Sequence, residues 1–221
     1  MNHAVKAIRM NHAVKAIRMM ADGLLSRSVP RSHIMAMPLS APIRVPRYTT
    51  DDLRRFPRDG QRYELLDGFL LVTPAPGTAH QVVLSRLMAG LLDYLPDAGP
   101  ARVTSPGEIE IAPKLLLDPD LLVWPSTFRP GTAWTAISGW WLAVEVSGRG
   151  SRVYDRDFKR DAYLTLGVRE VWLVDLHDRC VLVSSREGSR ERSHRHELRW
   201  HPPEMPRPLT VDLRALFADV G

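Results

Sequence analysis

The sequence predicts an α/β (α+β) fold, a mixed β-sheet flanked by helices, with a hairpin at its N-terminal end and another at its C-terminal end. Three observations carry that prediction. The short, almost wholly apolar runs Leu121–Trp124, Trp141–Val146 and Val171–Asp175 have the character of central strands. Residues 80–94 repeat apolar side chains at the i, i+3, i+4 spacing of a buried helix. A second amphipathic segment, 155–166, falls between two of the strand runs, as a strand–helix–strand unit requires.

The elements follow in order. Residues 1–47 read as a disordered basic tail: Met1–Arg9 and Met10–Arg18 are the same nine residues twice, and 26–46 are rich in Pro, Ser and Arg. Two copies of nine residues are too short for a solenoid, so the duplication reads as an over-extended start with Met19, Met20, Met35 and Met37 downstream. The domain then spans 48–221. Thr49 or Thr50 caps a short Arg-rich helix. Asp59-Gly60 turns the chain into Tyr63–Leu66, and Asp67-Gly68 reverses it into Phe69–Val72, a hairpin signal. Helix 80–94 closes at Pro96 and Gly99, Glu108–Ala112 alternates as a half-exposed strand, and Gly167 ends helix 155–166. Residues 180–200 read as an antiparallel hairpin, with Ser184–His196 a solvated turn, and Leu209–Phe217 as a closing helix.

Charge constrains the partners. Residues 1–47 hold eight Lys or Arg against Asp22, a net +7, whereas the remainder holds 22 basic and 24 acidic residues, a net −2. The basic character belongs to the tail, so a nucleic-acid surface on the domain must come from local clustering. A lone cysteine, Cys180, excludes an intramolecular disulfide and a Cys-rich zinc site, and fits a reducing compartment. No run approaches the roughly 20 apolar residues of a transmembrane helix, and Lys6, Arg9, Lys15 and Arg18 break any secretory core. Cytoplasm is the expected location, with no membrane partner.

The chemistry is expected where acids interrupt apolar strands. Asp120 opens Leu121–Trp124, and Glu145 sits inside the next run. A carboxylate so placed is costly unless a cation meets it. On adjoining strands the two would converge as hard oxygen ligands suited to Mg²⁺ or Mn²⁺, or would form a structural ion pair with an arginine. The chain has 26 Arg and four Lys, and the domain keeps only Lys114 and Lys159. Lys159 shares a helix face with Asp155 and Tyr163, and a buried lysine whose pKa falls can orient or deprotonate water. The other reading is an Asp155–Lys159 surface pair.

The ordered set Tyr63-Glu64-Leu65-Leu66-Asp67-Gly68, His80, Pro119-Asp120, Val144-Glu145-Val146-Ser147, Asp155-Arg-Asp-Phe-Lys159, Tyr163 and Gly167–Asp175 resembles the Uma-two family of restriction endonucleases, placed in the PD-(D/E)xK nuclease superfamily. The resemblance covers about residues 48–217. It implies a restriction-endonuclease-like core, a Mg²⁺-dependent (or Mn²⁺-dependent) hydrolysis of phosphodiester bonds in DNA, and a metal held by Asp120 and Glu145. Lys159 is implied as the catalytic lysine, displaced to the helix from the superfamily position that Ser147 occupies. Gly148-Arg149 stands where relatives read Ser-Pro. Glu64 matches the family motif as a third acid, and His80, Arg149, Arg152 and Arg156, with Arg160 beside them, are candidates for gripping phosphates. A homodimer is compatible with this reading. Two alternatives stay open: a nuclease-fold binding or regulatory module with weak catalysis, and a metal-dependent phosphoesterase acting on a smaller substrate.

The reading of the tail is testable by deletion. Removing residues 1–36 should leave the melting temperature within about 2 °C, because a segment that buries little apolar surface contributes little to stability. A fall of about ten degrees in a thermal melt would show that the repeat packs on the domain.

Overall fold

In a computed structural model, the structure describes residues 46–148, 151, 155–188 and 190–220. The duplicated segment and almost all of the tail, with Arg149 and Arg152, lie outside those residues.

The first turn after the tail forms for a local reason. Thr49 caps helix α1 (Thr50–Leu53): its hydroxyl accepts from the Asp52 amide, and the Asp52 carboxylate accepts from the Thr49 amide, a reciprocal capping box. Strands β1 (Arg62–Leu66) and β2 (Phe69–Thr73) then pair antiparallel about Asp67-Gly68. Both turn residues have positive φ, 51° and 80°, which the two-residue turn of a right-twisted hairpin demands. This hairpin extends through β5 (Leu115–Leu117) and β4 (Ile109–Ile111) into a four-stranded sheet.

The main sheet has six strands in the order β10-β9-β8-β7-β6-β3. They are β3 (Ala101–Thr104), β6 (Leu121–Pro125), β7 (Leu142–Ser147), β8 (Glu170–Asp175), β9 (Cys180–Ser185) and β10 (Arg192–His194). Only β7 and β8 run parallel, and helical residues 155–166 make the crossover between them. The period-2 alternation of strands sorts the side chains onto two covered faces. Leu121, Val123, Leu142, Val144, Val146, Trp172 and Val174 face helix α2 (Thr78–Tyr94), which presents Val83, Leu87 and Leu91. Leu122, Trp124, Ala143, Val171 and Leu173 pack on the opposite side with Tyr163, Val168, Ile109 and Leu117. Every residue of β7 is buried, Glu145 included.

The crossover helix, α3, begins with a wide π-helical turn (Asp155–Lys159) and continues as an α-helix (Arg160–Leu166) that ends at Gly167, φ 102°. The C-terminal segment differs from expectation. After β10 the chain leaves the main sheet, and β11 (Glu197–Trp200) pairs with β12 (Leu209–Asp212) as a separate two-stranded ribbon. The expected closing helix is therefore strand to Asp212 and helix only in α4 (Leu213–Leu216). Val211 and Leu209 pack on the core from an alternating strand, and Asp212 caps the helix with its side chain, so the cap marks the boundary. Likewise the Ser184–His196 segment is not all turn, since Arg192–His194 form β10 against β9. Strands β3 and β5 were not expected; their sequences are short and take their conformation from pairing. Among the described residues no helix is long and apolar enough to cross a membrane.

Gly107 is a packing requirement of this frame. A Cβ there would stand 2.2 Å from Leu122 Cβ, and the Gly107 amide donates to the Pro119 carbonyl just before Asp120. Gly107→Ala should destabilise the domain by about 1–3 kcal/mol, as overpacking a buried position does. Denaturant unfolding of wild type and variant would measure it, and equal midpoints would show that the loop yields freely.

Candidate active site

The antiparallel register of β6 and β7 pairs Leu121 with Val144. One step further along, Asp120 comes opposite Glu145. The two acids therefore meet because one precedes its strand and the other lies near the end of its neighbour. They line a cleft of about 280 Å³ whose wall also includes Arg62, His80, Asp155 and Lys159.

Both oxygens of Asp120 are bonded, one of them twice. Its Oδ1 accepts from Arg62 Nη1 at 2.6 Å, and its Oδ2 from the Val146 amide at 2.7 Å and from His80 Nε2 at 2.9 Å, the last in the tautomer that donates. Burial pushes its pKa up, but the His80 bond, the Arg62 charge and the Val146 amide together hold the carboxyl below the usual range. His80 therefore neither caps α2 nor reaches outward; it extends the buried stripe of α2 by one turn and ends on Asp120.

Glu145 has a different environment. Its Oε1 accepts from Tyr163 Oη at 2.5 Å and from Lys159 Nζ at 3.4 Å, while no hydrogen bond from a described residue reaches Oε2. Burial raises its pKa well above the ordinary value, Lys159 pulls it back in part, and Asp155, Asp120 and Glu64 push it up again. The same burial and carboxylates hold the Tyr163 phenol protonated.

Lys159 is 2% exposed and sits among three carboxylates: Glu64 Oε2 at 2.6 Å, Asp155 Oδ1 at 3.3 Å and Glu145 Oε1 at 3.4 Å. Burial alone would lower its pKa, but Glu145, Glu64 and Asp155 outweigh that and raise it. The lysine is thus an ammonium at any ordinary pH. The surrounding carboxylates favour its charged form, opposite to the fall that burial alone would bring.

Each neighbour of Lys159 is itself held. Ser147 Oγ donates to Asp155 Oδ2 at 2.8 Å, and the Asp118 amide donates to Glu64 Oε1 at 2.9 Å. Ser147 thus anchors the acid that helps hold Lys159. Asp118 adds a fifth carboxylate to the cluster, and burial together with Glu64 and Glu108 pushes its pKa up to about 7.

Of the expected residues, the structure brings Asp120, Glu145, Lys159, Glu64 and His80 together. It does not bring Arg156: that side chain pairs with Glu191 at 3.0 Å, and Arg160 joins the same carboxylate at 2.9 Å. Arg149 and Arg152 lie outside the described residues. Sequence reasoning missed Arg62. The available signal was its position two residues before Glu64 on a hairpin strand, which puts both side chains on one face.

Among the described residues no group of three or more His, Cys, Asp or Glu side chains is placed so as to hold a metal ion. The donor set nonetheless suits a hard divalent ion, which needs only one or two carboxylates and keeps several waters. Five carboxylates here face two permanent cations, Arg62 and Lys159.

Residues 50–214 match the family Uma2, described as "Putative restriction endonuclease". The crystal structure of "a putative nuclease belonging to DUF820" from Anabaena variabilis superposes with a TM-score of 0.62 at 16% identity, covering 77% of this chain and 97% of that one. At that identity the likeness speaks to the fold, a nuclease-like mixed α+β architecture. Among curated proteins none matches the chain. With the family match spanning most of the sequence, the chain belongs to the Uma2 family of restriction-endonuclease-like proteins.

Proposed function

We propose that this protein is a Mg²⁺-dependent endonuclease that hydrolyses phosphodiester bonds in DNA. One observation carries the reading: two buried acids, Asp120 and Glu145, meet at the ends of adjoining strands and open on one cleft, with the Lys159 ammonium 3.4 Å from Glu145. A purely structural ion pair would match one cation to one acid, whereas this cluster leaves carboxylates in excess. Asp120 and Glu145 would hold the metal, with Mn²⁺ as an equivalent. When bound, it supplies Lewis-acid help at the phosphate and a water more easily deprotonated.

The chain's own residues divide the remaining work. Lys159, an ammonium shared among three carboxylates, brings its positive charge to bear on the phosphate oxygens as negative charge builds on them. Glu64 and Asp155 keep its stem and head in place, and Glu64 acts through the lysine. The Tyr163 hydroxyl fixes one oxygen of Glu145 and so sets the direction of the other. His80 and the Val146 amide do the same for Asp120. The nearly neutral domain favours contacts concentrated at the cleft over a broad basic surface.

The metal assignment predicts a titration result. Calorimetry with Mg²⁺ or Mn²⁺ should show weak binding, preferred over Zn²⁺, that is lost in Asp120→Ala and in Glu145→Ala. Undiminished binding in either variant would move the metal elsewhere.

The role of Lys159 predicts a cleavage result. Incubated with plasmid and Mg²⁺ or Mn²⁺, wild type should nick or linearise DNA, and Lys159→Arg, which keeps the charge but misplaces it, should lose on the order of a hundredfold in rate, as loss of one positioned stabilising group does. Because Lys159 is buried, the larger guanidinium should also cost about 1–3 kcal/mol of stability. Rates are therefore compared well below both melting temperatures, with exposed Lys114→Arg as the control. Equal cleavage by Lys159→Arg would confine the lysine to a structural role. Hydrolysis of a small phosphodiester with DNA left intact would favour the phosphoesterase reading.

A further inference from the structure

We infer that Arg62 is an exchangeable counter-ion: it neutralises Asp120 while the metal is absent, and binds a phosphate of the substrate once a divalent ion has taken its place. This rests on the proposed function and deepens it.

Four observations support the inference. First, Arg62 bonds the one oxygen of Asp120 that remains to be approached. Oδ2 is held from two sides by His80 and Val146, whereas among the described residues Oδ1 has only Arg62, at 2.6 Å. A divalent ion on Asp120 must share or displace that contact. Second, the two cations of the site differ in access. Lys159 is 2% exposed and saturated by three carboxylates, whereas the Arg62 side chain is 26% exposed at the start of β1. Third, Arg62 is the one arginine among the described residues that lines the cleft, since Arg156 and Arg160 are spent on Glu191. Fourth, the chemistry matches. A guanidinium offers five donors in a planar fork suited to a phosphodiester, and among the described residues only one of its nitrogens has a hydrogen-bond partner.

The charges then follow in sequence. Without metal, Arg62 lowers the cost of an ionised, buried Asp120. An incoming 2+ ion takes over that task and repels the guanidinium, which remains at the cleft wall where an anionic substrate enters. β1 thus supplies both counter-charges from one face: Glu64 for the buried lysine and Arg62 for the outer acid.

The test separates metal from phosphate. Mn²⁺ is titrated by calorimetry into the full chain as wild type, Arg62→Ala and Arg62→Gln, the glutamine keeping much of the stem and an amide donor should alanine fail to fold. Removing the competing cation should tighten Mn²⁺ binding by about three- to tenfold, the equivalent of one hydrogen bond of ordinary net strength. In Ca²⁺, which takes the same oxygen ligands, a short labelled duplex should bind the same variants about tenfold more weakly by fluorescence anisotropy. Mn²⁺ binding that is equal or weaker in the Arg62 variants overturns the inference, as does unchanged DNA affinity. Asp120→Ala run alongside distinguishes the two failures: if it binds Mn²⁺ as wild type does, the metal site itself is wrong, and if it loses Mn²⁺ while the Arg62 variants gain nothing, only the exchange is wrong.

Discussion

The ammonium of Lys159 is the contact around which this structure is arranged. Its three carboxylate partners come from three separately folded elements: Glu64 from the hairpin sheet, Glu145 from the centre of the main sheet, and Asp155 from the first turn of the crossover helix. Each acid would be expensive to bury alone, and the lysine would be too; together they are tolerable only in one mutual placement. The cluster therefore sets where the hairpin docks on the sheet and how the crossover helix enters. The wide π-helical turn at Asp155–Lys159 belongs to the same constraint, since such turns occur where a helix side chain must be redirected.

Around that centre the two acids nearest the cleft are given contrasting electrostatics. Asp120, with Arg62, His80 and a backbone amide upon it, is held ionised. Glu145, deeper and bordered by other carboxylates, is driven towards its neutral form in the absence of added positive charge. The imbalance is a property of the assembled site rather than of either residue. It links the fold to its proposed chemistry, because a hard cation would relieve the strain of the excess carboxylates.

The covered sheet makes such a site possible. Alternation along β6 and β7 commits one face to helix α2 and the other to α3 with the four-stranded sheet, so polar groups at the strand ends are shut away from bulk water. Low polarity strengthens every charge interaction within it. Gly107, pressed against Leu122 and bonded to the Pro119 carbonyl, shows how closely the loop between β3 and β4 is fitted to the strand that follows Asp120.

Much of this was legible in the chain. Helix 80–94, the three central strands, the Asp67-Gly68 hairpin and the Gly167 stop each carry a local signal, an apolar period or a residue tolerant of positive φ, and local signals survive into the fold. The convergence of Asp120 with Glu145 was also readable, because acids inside apolar strands are rare and costly, and the family pattern singled out Lys159 and Glu64. The rest depended on partners distant in sequence. Strands β3 and β5 and the strand within 209–217 take their form from pairing, which periodicity over three or four residues cannot register. Arg156 has the charge to reach a phosphate but meets Glu191 instead, and Arg62 meets Asp120, 58 residues away. The sequence by itself determined which residues were unusual enough to need a partner. Tertiary structure decided which partner each received, and hence that Lys159 stays charged, because pKa and pairing depend on the summed field of groups the chain brings together only when folded.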